Sequence, residues 1–194
     1  TFTATNYYTM RTILLFLLFF NALTLSAQKP VQYKISFPNA VHHEVEVELL
    51  IPDVPAGPLT FRMSRSSPGR YATHEFGKNI YNVKAYNGSG SLLEVQQTEG
   101  DVYRVDKHDG TVRITYTIFG NWVDGTYMAI DETHAHLNMP ATFMWIPALK
   151  ERPIQIKFND LNRNNWKVAT QLKSTDNPNT FTAPDLNYFM DSPV

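Results

Sequence analysis

Apolar and polar positions alternate along most of this chain, in short runs. Residues 31–37 read Val-Gln-Tyr-Lys-Ile-Ser-Phe, the two-residue period of a half-buried strand. Residues 43–51 are the cleanest case. Val45, Val47, Leu49 and Ile51 fall on one face, and Glu44, Glu46 and Glu48 on the other. The glutamate row follows from the pleat and reads as a solvated face, not a cation site. Residues 111–119 repeat the pattern, with Val112, Ile114, Tyr116 and Ile118 together. Strands are also predicted over 59–63, 79–86, 142–146, 153–158 and 166–170. A hairpin pairs 92–97 with 102–106 around Glu99-Gly100-Asp101.

Turn signals separate these runs every eight to twelve residues or so. They include the Pro/Gly-rich stretch 52–58, Ser67-Pro68-Gly69, Asn87-Gly88-Ser89-Gly90 and Asp109-Gly110. Residues 70–78 predict a short helical turn that Gly77 closes as a C-terminal cap, and 147–152 predict another. No long amphipathic helix, repeat or low-complexity linker follows residue 27. The pattern predicts one all-β domain over 28–194: an antiparallel β-sandwich-like fold with one or two short helical turns.

The first 27 residues read differently. Met10-Arg11 opens a positive region, 13–20 is an unbroken apolar run, and 22–27 ends in small residues. This is the form of a signal-peptide helix with cleavage after Ala27. The apolar run is too short and interrupted for a good membrane span. Residues 1–9 precede the natural start at Met10 and stay outside the fold reading. The expected location is the periplasm or outside the cell, with no membrane association beyond the leader.

Composition narrows the function classes. Of 194 residues, 43% are apolar and 18% charged, with a net charge of -1, so no basic field exists to attract nucleic acid. Absence of cysteine removes disulfides, thiolate zinc sites and a cysteine nucleophile. His43-Glu44 and His74-Glu75 each begin like H-E-x-x-H, but Val47 and Lys78 stand where the second histidine must be. No G-x-S-x-G elbow, phosphate loop or dinucleotide fingerprint is present. His134 and His136 could share a strand face beside Asp131 and Glu132 and hold a metal. The plainer reading, and the preferred one, is an exposed polar loop bordering a cleft. Arg70 and Tyr71 could bind a carboxylate or pack the turn onto the sheet.

Five stretches, in order, resemble the N-terminal domain of M61 peptidases, the glycyl aminopeptidase family. Ser67-Pro68-Gly69-Arg70-Tyr71 with Phe76-Gly77-Lys78-Asn79-Ile80 is similar to the pattern P-G-x-Y…F-x-x-N-[VI]. Ile35-Ser36-Phe37 with His42-His43-Glu44-Val45-Glu46-Val47 resembles the opening strands. Asp131-Glu132-Thr133-His134-Ala135-His136-Leu137-Asn138 resembles D-[DE]-T-x-x-[YH]-x-N. Trp166-Lys167-Val168-Ala169-Thr170-Gln171-Leu172 resembles G-W-x-[VI]-A-T-x-L, and Asp191-Ser192-Pro193-Val194 resembles D-S-P-[VI]-E. Two departures touch local loop geometry: Met139-Pro140 in place of Gly-Thr, and Asn165 in place of glycine before the tryptophan.

The resemblance implies the non-catalytic N-terminal β-domain of an exported zinc aminopeptidase. A thermolysin-like domain with H-E-x-x-H, and commonly a PDZ domain, would begin just after Val194. Neither a catalytic residue nor a cofactor is implied here; zinc belongs to the catalytic domain. That domain is the implied partner and a peptide the implied substrate. The β-domain would form one wall of the cleft, with Arg70, Tyr71, Asp131, His134 and His136 as candidates. It would also show an apolar patch near its C-terminal tail. The alternative is a stand-alone exported β-sandwich that binds a peptide or glycan on its aromatic surface.

Overall fold

The computed structural model describes residues 28–194 except Pro68 and the side chains of Arg163 and Asn164. The expected leader lies outside the described residues. The framework is an eight-stranded sheet in the order β12-β13-β11-β1-β2-β8-β4-β5. Its centre is β1 (Val31–Asn39), β2 (Glu44–Ile51) and β8 (Val112–Phe119); β4 (Ile80–Asn87) and β5 (Leu92–Leu93) extend one side. β11 (Ile154–Phe158), β13 (Thr180–Ala183) and β12 (Lys173–Ser174) extend the other. Two small sheets complete the strands: β3 (Leu59–Arg62), β7 (Val102–Val105) and β6 (Gln96–Glu99), and the pair β9 (Ala129–Ile130) and β10 (Ala135–His136).

The alternating positions do as the pleat requires. Val45 lies opposite Ile118, Val47 opposite Tyr116, Leu49 opposite Ile114 and Ile51 opposite Val112, all buried. Tyr33 and Ile35 of β1 and Ile156 of β11 continue that face. The opposite face is polar: Glu48 takes Lys34 at 2.7 Å and Arg113 at 3.4 Å.

Several expectations need correction. The sheet is mixed, because β1 and β11 run parallel in register Val31–Ile154 to Ile35–Phe158. A parallel pair needs a long crossover, and the whole stretch between them supplies it. Residues 142–146 do not form a strand. Met139–Thr142 is a short helix, α1, and only Trp145 bridges to Arg62. This segment is sandwiched between layers, and tyrosine hydroxyls meet its backbone instead of a ladder. Tyr33 donates to Met144 O at 2.8 Å and Tyr116 to Thr142 O at 3.0 Å, while Met144 N–H donates to Tyr116 at 3.0 Å. Residues 166–170 keep the alternating burial of a strand without pairing as one.

Gly77 sits inside a 3-10 turn, Phe76–Asn79, and does not cap residues 70–78. A Cβ on Gly77 would stand 2.7 Å from Gly100 O, so the glycine lets the β6–β7 turn pack close. The last helix, α2 (Leu186–Met190), is capped by Asp185, whose carboxylate accepts Tyr188 N–H at 2.8 Å.

Candidate functional site

Three connections meet at the end of the sheet where β1 and β8 finish and β2 and β4 begin. They are the turn at 67–70, the loop 120–128 and the segment 131–138. One buried amide ties them. Asn138 Nδ2 donates to Ser67 Oγ at 2.8 Å and to the Thr126 carbonyl. Its backbone carbonyl accepts Ala141 N–H at 3.0 Å and Thr142 Oγ1 at 2.8 Å. Asn138 thus starts α1 and holds the two loops together. The family pattern ends on this asparagine, and Asn before Met-Pro is a helix-start signal, but neither names its partners Ser67 and Thr126.

The turn at 67–70 closes with Arg70 N–H on Ser67 O at 3.1 Å, across Gly69 at φ 73. This leaves Tyr71 fully exposed at 105%. Arg70 reaches toward the 120–128 loop, where its Nη2 lies 3.5 Å from a Cβ built on Gly125. There Asp124 accepts Thr126 N–H at 2.8 Å, Tyr127 N–H at 3.0 Å and the Trp122 indole at 3.2 Å. Burial pushes the Asp124 carboxyl up, but these donations and the Arg70 charge outweigh it, so it stays below its ordinary value. His74 stacks on Phe76 at 5.1 Å, and Tyr127 meets both rings edge-on.

Asp131 and His134 form a closed turn, so His134 shares no strand face with His136, which lies in β10. Asp131 Oδ1 accepts Thr133 Oγ1 at 2.6 Å, Thr133 N–H at 2.7 Å and His134 N–H at 3.0 Å. Thr133 donation first, then the backbone N–H groups, hold the Asp131 carboxyl down to about 2. His134 Nδ1 lies 3.3 Å from the same oxygen. His136 sits in β10 opposite Ala129, half-buried. Among the described residues, no three His, Cys, Asp or Glu side chains gather as a metal set. The Arg70–Tyr71 turn and the His134 turn are linked only indirectly, through Asn138.

His134 borders a groove of about 330 Å³ with Phe37, Phe158, Leu161, Trp166 and Val194. Trp166 packs edge-on to Phe37 at 5.1 Å, and its buried indole nitrogen has no hydrogen-bond partner among the described residues. The tail lies along the rim: Leu137 N–H donates to Val194 O at 2.6 Å and Val194 N–H to Leu137 O at 3.2 Å. Gln171 holds that tail, donating to Asp191 O at 2.7 Å and Ser192 Oγ at 3.0 Å.

These anchored stretches are the motifs that the sequence singles out. The family model for the Peptidase M61 N-terminal domain matches residues 32–194. The chain belongs to that family. Among solved structures, an aminopeptidase N family protein from Idiomarina loihiensis is similar at 19% identity with a TM-score of 0.77. The alignment covers 84% of this chain and 28% of that one, so this M61 N-terminal domain shares its fold and spans about a quarter of its length. An M1 zinc metallopeptidase from Deinococcus radiodurans aligns at 10% identity and a TM-score of 0.36, over 79% of this chain and 37% of that one. No curated protein matches the chain.

Proposed function

We propose that this M61 N-terminal domain is the non-catalytic β-domain of an exported zinc aminopeptidase, and that it docks a downstream catalytic domain against the groove beside Val194. The observation that carries this reading is the groove itself. Its walls join Phe37, Phe158, Leu161 and Trp166 to the polar Thr133, His134, Asn165 and Lys167, and the tail is fastened along its rim by Leu137. His134, at the same rim, then faces the cleft, while Asp131 shapes its turn. Arg70 and Tyr71 form a second, more distant part of the wall. Zinc and the peptide substrate belong to the catalytic domain; export follows from the leader-like residues 1–27.

The test is to recover the native protein from its own cells through this domain and weigh it intact. A mass well above 22.2 kDa, with bound zinc and release of N-terminal glycine from peptides, is the expected result. A mass matching residues 28–194 alone would end this reading and leave a stand-alone binding module.

A further inference from the structure

A second groove, of about 270 Å³, opens against the 120–128 loop and shares no lining residue with the first. Its walls are Phe119, Trp122, Tyr127 and Met128. Gly120 makes room for it: a Cβ there would stand 2.5 Å from Met128 Cγ, so any side chain would push Met128 into the space. Trp122 is 62% exposed and is held by Asp124 through its indole N–H, so its ring stands as a fixed wall with nothing over it.

The rim is polar and carries one sign of charge. Lys78 is exposed and enters none of the ion pairs among the described residues. Asn79 and Asn121 present carboxamides, each with a donor and an acceptor. An apolar hollow with a few convergent polar groups is the usual form of a small-ligand site. The hollow calls for one apolar side chain, the ammonium for an anion, and the two carboxamides for the N–H and C=O of a peptide group. A fatty acid meets the first two demands and leaves the amides without a match.

The geometry points to a binding site for the C-terminal residue of a peptide: an apolar side chain between Trp122 and Met128, its free carboxylate on Lys78, its amide on Asn79 and Asn121. This goes beyond the docking role and holds whether or not a catalytic domain follows.

The test follows the Trp122 indole N–H resonance of the chain during titration with N-acetyl-L-leucine, its carboxamide and octanoate. The acid is expected to shift the resonance with a millimolar Kd, since a single residue has few atoms with which to bind. The carboxamide should bind about threefold to fivefold more weakly, the usual yield of an exposed ion pair, and added salt should narrow that gap. Lys78→Met should bring the acid to the carboxamide's affinity without changing the thermal midpoint. Trp122→Phe, read on the Tyr127 amide, should weaken both ligands alike. Equal binding of acid and carboxamide overturns the proposal, as does octanoate binding as tightly as the acid. So does the absence of any shift up to about 50 mM, far above the expected Kd.

Discussion

Among single residues, Asn138 bears most on the shape of the candidate wall. Its amide spans Ser67 and Thr126, so removing it leaves a buried carbonyl on Thr126 unanswered. Asn138→Ala is expected to cost about 1–3 kcal/mol, read as a thermal midpoint lower by roughly 2–12 °C. Amide exchange should quicken at both Arg70 and Tyr127, because one contact serves both loops. Quickening confined to one loop would show that the ties are independent. The sequence held Asn138 in plain view, inside Asp131 to Asn138, yet its partners lie 71 and 12 positions away. No local spacing announces such contacts.

Among elements, the strands with strict alternation were legible because one buried face leaves each residue a single register. The failures are equally physical. Residues 166–170 alternate in burial but lack a ladder, since period reports which side faces the core and not what the backbone bonds to. Residues 142–146 are buried almost throughout, so no alternation could show, and Tyr33 and Tyr116 supply the missing partners. The β9–β10 connection reads as an exposed polar loop; Glu132, Thr133 and His134 are exposed, and Asp131 closes the turn, which the pattern did not announce. The Asp131 pKa of about 2 lies below the ordinary carboxyl value. The charged carboxylate therefore supports the turn fully above about pH 4, and that support fades as pH falls through about 2. Protection of the Thr133 and His134 amides, taken relative to the exchange rate of an unstructured peptide at each pH, should fall over that acid window, and Asp131→Ala should leave them unprotected at every pH. Protection that stays constant through that window in the unaltered protein would rule out Asp131 as the clasp.

At the scale of the molecule, the long crossover that brings β11 in parallel beside β1 is fastened by Arg152, which is 5% exposed. Its Nε donates to Lys29 O at 3.0 Å and its Nη1 to Pro52 O at 2.9 Å, joining the start of β1 to the end of β2 beside β11. Arg152→Met keeps the stem and removes the donors. It is expected to lower the midpoint by roughly 4–12 °C, from about 2–3 kcal/mol of unanswered carbonyls. A midpoint within a degree or so of the parent would show that water replaces the guanidinium. The sequence by itself determined the strands of the sheet centre, the absence of cysteine chemistry and, through five ordered motifs, the family. A two-residue period and a missing side-chain type are local facts that every fold must respect. Only the tertiary structure decided the parallel β1–β11 pair, the Asn138 tie and the two separate grooves. Each depends on groups far apart in the chain, brought together by burial of the sheet's apolar face and not by any pattern along it.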